Sequence, residues 1–493
     1  MATNYVTIGA GGSATVADVD ANVYGLGNAT LKAGNGADSV NILGNGSVSI
    51  GTGADTIRIG GNGTIAVSTA STAPDLVTVV GSGKVTLGGG ANQVQMGSGS
   101  VQVGNGANNI SVTGAASVAI GAGNNNVVIG SGTVGAASSS SSSRDKTAVA
   151  AGGSGNNHVT VLGAGNVNLG NGANTVLAGS GNVTVGNGAN TVTITGAGKV
   201  TFGTGADSVS IGGSGTVAGS TASTAADQVT VAGTAGVTLG GGANQVSIGS
   251  GTVSTGNGSD SIAVAGVASV KSGNGNDSIS VGSGTVSLGT GNDRVTMTGS
   301  GSIAAGSGSD AITLGTGNNT VSATGSTTVT ASSGTSATIA SGSVQVLNNG
   351  SVQTDKVVSG TVTILGGSGA VRFVGGTSTT TASLKGGTGN DTFVGGAGKD
   401  TMVAGSGSNL FEFFKSTQTG TYGGGAGGTH VIQGYTSASG SLYVEGYSLA
   451  QLQTMGAIKV TGGNTVITLA DKTSITLVGV TNVNSLNVTT TPI

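Results

Sequence analysis

Residues 34–50 read GNGADSVNILGNGSVSI, and their spacing sets the fold. Val40, Ile42, Val48 and Ile50 alternate with small polar residues, the period of a half-buried strand. Each aliphatic pair follows a glycine turn, Gly34–Asp38 before the first and Gly44–Gly46 before the second. The pattern restarts at Gly51, so the stretch from Gly34 to Ile50, two short strands and two turns, makes one coil.

The turn GxGx(D/N) begins again at Gly88, Gly104 and Gly121, at Gly153, Gly170, Gly186 and Gly203, and at Gly240, Gly256, Gly273, Gly289 and Gly306. Within each run the interval between neighbours is nearly constant, and a fixed period of this kind marks a solenoid. Glycine and β-branched residues both disfavour helix. The expected fold is all-β: a right-handed parallel β-solenoid (β-roll) of 16–17-residue coils with a C-terminal cap. Residues 51–94 and 203–246 match in glycines, aliphatics and the inserts STASTAPD (68–75) and STASTAAD (220–227). Stacking accounts for such copying. A lone coil buries too little apolar surface to offset the ordering of its glycine-rich backbone, so each coil depends on its neighbours.

Composition agrees. The 493 residues include 101 glycines and only 2% aromatics, too few for a bulky globular core. Hydrophobic residues still reach 36%, too many for a disordered chain. Two prolines and no Gly-X-Y period exclude collagen. A net charge of −3 with no long basic run argues against a nucleic-acid partner. Without cysteine there are no disulfides and no thiolate metal sites. The start, MATNYVTIGAGGSATVADVD, has neither a basic nor an apolar leader segment, and no apolar run reaches 18 residues. No cleaved N-terminal signal and no transmembrane segment are therefore expected.

The chain divides by pattern into an N-terminal cap (1–30), a glycine-rich solenoid (31–319), degenerate Ser/Thr-rich coils (320–385), a short repeat block (386–409), and a C-terminal cap (410–493). Ser138–Lys146, SSSSSSRDK, reads as a flexible loop. Within the cap, the stretch beginning GNTVITLADK reads as a β-hairpin, and NLFEFF as aromatic cover for the end of the stack.

The fifth turn residue is almost always Asp or Asn. It runs Asp38, Asp55, Asp75, Asn92, Asn108, Asn125, Asn157, Asn174, Asn190, Asp207, Asp227, Asn244, Asp260, Asp277, Asp293, Asp310. Stacked coils place carboxylates about 4.8 Å apart. Such a row repels itself and calls for a cation between coils. Calcium suits it, because it takes several oxygens and glycine turns expose carbonyls beside each carboxylate. The candidate ligands are Asp38, Asp55, Asp207, Asp227, Asp260, Asp277, Asp293 and Asp310. The Asn runs are expected to form metal-free amide ladders instead.

Two contiguous nonapeptides, GGTGNDTFV (386–394) and GGAGKDTMV (395–403), are followed by a degenerate third, AGSGSNLFE. They fit GGxGxDxUx, and on them the chain resembles RTX-type (haemolysin-type) calcium-binding repeat proteins. The resemblance implies calcium as cofactor, with Asp391 and Asp400 as further ligands. Nine-residue spacing puts these two on opposite edges, and the same-edge neighbour of Asp391 is Asn409, two nonapeptide lengths on. The resemblance also implies bacterial type I secretion through an uncleaved C-terminal signal, hence an extracellular or cell-surface location.

No enzyme is expected. GSGKV (81–85) lacks the leading glycine and following Ser/Thr of a phosphate loop, and His158 and His430 read as decoration or packing. The favoured function is a structural protein whose partner is itself, forming a surface layer, filament or biofilm fibre. The alternative is a calcium-dependent adhesin or ligand-binding rod, with a cell-surface glycan as partner. Ice binding is less favoured, because the outward turn residues vary (Asn35, Thr52, Gly89, Asn105) where a lattice match needs regular rows.

Overall fold

The structure, a computed structural model, describes residues 4–136, 155–331, 335–348, 353–357, 360–376, 380–415 and 427–492. The expected loop at Ser138–Lys146 lies outside the described residues, as does Gly153. The fold is a parallel β-solenoid of about 21 turns with almost no helix. The chain forms two compact units, Met1–Gly249 and Ser250–Ile493.

The first unit opens with β1 (Asn4–Ile8), β2 (Gly12–Thr15), β3 (Ala21–Gly25), β4 (Ala29–Lys32), β5 (Ser39–Ile42), β6 (Gly46–Ile50), β7 (Thr56–Ile59) and β8 (Gly63–Val67). Odd strands pair with odd and even with even, always parallel, so each coil adds one strand to each of two stacks. The constant period puts like on like. Val23 lies on Val40 and Val40 on Ile57, while Leu31 lies on Val48 and Val48 on Ile65. All six are buried. The alternation read in residues 34–50 thus becomes an aliphatic interior and a Ser/Thr/Asn exterior.

The two corners of a coil differ. At the first, the third turn residue is glycine with positive φ, as at Gly123 (+128°), where a Cβ would run into the carbonyl of Gly106 in the coil before. The second corner is often no break at all. Strands Gln93–Gln102 and Asn109–Ile120 each run through it, absorbing the bend as a register shift after Met96 and Val112. Where the sequence reads as two short strands, the GSG and GAA corners need only a bulge.

The second unit repeats the plan, with Ile262 on Ile279 and Val264 on Val281. Later its core turns aromatic. Phe373, Phe393 and Phe411 stack at 4.9 Å between successive ring centroids and are fully buried. Phe411 of NLFEFF is therefore an internal rung as well as a neighbour of Tyr435. Parallel pairing continues through Thr429–Gln433 and Gly440–Val444 to Val488–Thr489. The expected hairpin forms as Asn464–Thr468 antiparallel to Ser474–Leu477. Helix α1 (Leu449–Thr454), begun by a Ser448 capping box, was not legible in the strand-like pattern around it.

Phe393→Ala should empty the middle of the aromatic stack and cost about 3–5 kcal/mol. Hydrogen exchange should show the loss in strands at 371–374, 392–394 and 409–413, with no change in residues 4–67. Equal deprotection at both places would mean that coils do not depend chiefly on their neighbours.

Candidate functional site

The Asx residues of the first corners turn inward. From Asp38 to Asn244 in the first unit, and from Asp260 to Asp310 in the second, none is more than 4% exposed. Along these rows Oδ1 accepts the backbone N–H of the Asx one coil earlier. Asp55 takes that of Asp38 at 2.9 Å, Asp277 that of Asp260 at 2.8 Å, and Asp293 that of Asp277 at 2.8 Å. The Asn turns make the same bond, with Asn125 Oδ1 accepting from Asn108 N–H at 3.3 Å.

The second side-chain atom separates the two kinds of turn. In an Asn turn, Nδ2 donates inward. Asn190 Nδ2 reaches the carbonyls of Gly186 (3.1 Å) and Gly188 (2.8 Å) in its own turn and Asp207 Oδ1 in the next coil (2.8 Å). Asn108 does the same with Gly104, Gly106 and Asn125. Because Oδ1 makes one shared bond in both kinds of turn, Asp Oδ2 takes the place of that amide nitrogen. It has no hydrogen to give. In Asp38, Asp55, Asp75, Asp207, Asp227, Asp277, Asp293 and Asp310, Oδ2 is buried with no hydrogen-bond partner.

A buried carboxylate oxygen among carbonyl oxygens is unfavourable. Burial first, then neighbouring carboxylates, push Asp38, Asp75, Asp227 and Asp293 up to about 6. Burial raises Asp55, Asp207, Asp277 and Asp310 as well. A cation shared by carboxylate and carbonyls relieves the conflict, and an all-oxygen donor set suits calcium. Among the described residues no three His, Cys, Asp or Glu side chains converge, so such a cation would rest on few carboxylates and on the turn backbone.

The nonapeptide turns are satisfied differently. Asp391 Oδ1 accepts from Val371 N–H (2.9 Å) and Oδ2 from Gly387 N–H (3.2 Å), while its own N–H donates to Asn409 Oδ1 (2.9 Å). Asp400 lies in the other strand stack, in register with His430. Its Oδ2 accepts from Gly396 N–H (3.2 Å) and lies 3.0 Å from His430 Nδ1. The imidazole is buried and packs on Phe413. Asp391 and Asp400 thus both have protein neighbours at Oδ2 that the eight aspartates named above lack, while Asp400 Oδ1 is buried without a hydrogen-bond partner.

A family model for the RTX calcium-binding nonapeptide repeat (4 copies) matches residues 297–325 and 382–411. The chain carries RTX repeats. These are calcium-binding motifs, and together with the solenoid they make a calcium-binding structural repeat protein. No curated protein matches the chain. The first matched stretch holds a pair of RTX nonapeptides that the longer-period reading passes over, AGSGSDAIT (305–313) and LGTGNNTVS (314–322). They add Asn319, nine residues after Asp310. It is buried, Nδ2 donates to Gly317 O (3.3 Å), and Oδ1 has no hydrogen-bond partner. The nine-residue interval was the signal available for it.

Exchanging the two side chains tests this reading. In calcium-free buffer Asp277→Asn should stabilise the protein by roughly 1–3 kcal/mol, and Asn125→Asp should destabilise it by a similar amount. Calcium should restore the second variant and raise the first less than the parent, as read from melting curves with and without chelator. Equal shifts for both would remove the amide–cation equivalence.

The raised carboxyl values also fix a pH dependence. A carboxyl whose pKa is higher folded than unfolded binds its proton more tightly in the folded protein. That stability is fully present below the ordinary value of 3.8 and is lost as pH rises through about 6. Metal-free protein should therefore melt lower at pH 7 than at pH 4, and calcium should shrink the difference. A calcium-free melting temperature that rises over this interval would contradict the assignment.

Proposed function

We propose that this protein is a secreted, calcium-stabilised structural subunit that assembles with copies of itself into a surface layer, filament or matrix fibre. The carrying observation is the first coil. Among the described residues β1 pairs in parallel only with β3, and β2 only with β4, so each presents a second backbone edge. NYVTI and GSAT contain no charge and no proline, the usual guards of such an edge, and Tyr5 is 82% exposed. A net charge of −3 adds little repulsion between copies.

The proposed calcium ligands are Asp38, Asp55, Asp207, Asp227, Asp260, Asp277, Asp293 and Asp310, with Asp391 and Asp400 in the RTX nonapeptides. RTX repeats are typical of secreted bacterial proteins, which favours an extracellular place of work and type I export directed by residues 410–493. Among the described residues no helix is long and apolar enough to cross a membrane. Calcium-poor cytoplasm would leave the acidic turns strained, and calcium outside would settle them.

Sedimentation and negative-stain imaging in millimolar calcium should show ordered assemblies that chelator disperses. Tyr5→Lys with Thr7→Lys, two exposed positions on β1, should abolish assembly while leaving the circular dichroism spectrum intact. A parent protein that stays monomeric at high concentration and binds a defined glycan would replace this reading with an adhesin.

A further inference from the structure

The residue just before each first-corner turn points into the core and is apolar in most coils: Ile50, Val103, Val185 and Leu288 are all buried. Two consecutive coils break the rule. Thr255 precedes the Asp260 turn and Ser272 precedes the Asp277 turn, each five residues before its aspartate, so the two occupy the same place in adjacent coils. They are 7% and 3% exposed, and neither hydroxyl has a hydrogen-bond partner. Burying a hydroxyl unpaired is unfavourable, and a valine at the same place, as at 103 and 185, carries no such penalty.

The Ser272 hydroxyl lies near the Asp277 carboxyl, outside hydrogen-bond geometry. Thr255 stands in the same sequence relation to Asp260. A third buried hydroxyl without a partner, Thr327, lies in register with Asp310 at the far end of the row. The acidic turns at Asp38, Asp55 and Asp207 have no counterpart, since Ala33, Ile50 and Phe202 precede them.

We propose that Thr255 and Ser272 are calcium ligands, making the Asp260–Asp277 layer the tightest divalent-cation site of the solenoid. This rests on the calcium reading of the acidic turns and deepens it. Two carboxylates balance the charge of one divalent ion. Two hydroxyl oxygens and the turn carbonyls extend the set toward the six to eight oxygens that calcium takes. At the Asp38, Asp55 and Asp207 turns an apolar side chain holds the place that Thr255 and Ser272 occupy here. Orphaned hydroxyls in an otherwise aliphatic position thus gain a function that packing does not give them.

The test is calcium titration of the full chain by isothermal calorimetry and equilibrium dialysis, comparing the parent with Thr255→Val/Ser272→Val. Valine already occupies this position in other coils, so folding should hold, and the calcium-free melting temperature should stay level or rise. The parent should show one class of sites tighter than the rest. The double variant should lose it, with affinity for that class falling about tenfold or more, as expected when a calcium site loses oxygen ligands. If the variant titrates like the parent, the hydroxyls are core filling and the proposal fails, while the calcium reading stands. If the parent takes up no calcium, the calcium reading falls, and this proposal with it. Ile50→Thr should strengthen binding at the Asp55 turn, and no gain there would also count against the hydroxyl ligands.

Discussion

One repeated hydrogen bond sets the register of the coils: from Asp38 to Asp227 and from Asp260 to Asp293, the backbone N–H of the inward Asx reaches the Oδ1 of the Asx one coil on. It works only if successive coils stack without slipping, because a one-residue shift would turn aliphatics outward and Asx side chains into the solvent. Aliphatic ladders and Asx ladders therefore enforce the same register. The glycines follow from it. Where coils come this close, as at Gly123 over the Gly106 carbonyl, no Cβ can be fitted. The high glycine content follows from backbone stacked on backbone at the corners.

Within that frame the two Asx types behave as alternative solutions to one problem. Carbonyl oxygens crowd the inside of each first corner and need something positive. Asn brings it covalently, through the two N–H groups of its amide. Asp brings negative charge and must recruit a counterpart. Asp400 Oδ2 accepts from Gly396 N–H and lies 3.0 Å from His430 Nδ1, and Asp391 accepts from Gly387 and Val371 N–H. Asp38, Asp55, Asp75, Asp207, Asp227, Asp277, Asp293 and Asp310 have no such help at Oδ2.

The sequence was legible to the extent that it is periodic. Strand positions, coil length, the aliphatic interior, the amide ladders from Asn92 to Asn190 and the hairpin at 464–477 all follow from spacing. What spacing hid were departures from period. The nonapeptide pair around Asp310 and Asn319 was masked because its first half fits the longer period equally well. His430 looked isolated because an insertion between coils carries it far along the chain from Asp400. The α1 helix depends on a capping box in a segment of otherwise strand-like composition. The inward orientation of Asp Oδ2 leaves no trace in the pattern, since an outward-turned carboxylate would have the same sequence.

On the calcium reading proposed above, alternation of Asn and Asp blocks divides the first unit by its need for metal. From Asn108 to Asn174 every inward side chain closes its corner with its own hydrogen bonds. Such a block satisfies its inward amides without a cation. The flanking turns, Asp38 to Asp75 on one side and Asp207 to Asp227 on the other, leave Oδ2 without such a partner. They stack on a neighbour whose register is already set, which lowers the entropic cost of adding a coil. A chain built wholly of Asp turns would need calcium to begin folding, and one built wholly of Asn turns would not respond to it. On that reading, mixing the two would give a solenoid that nucleates without calcium and completes its order with it.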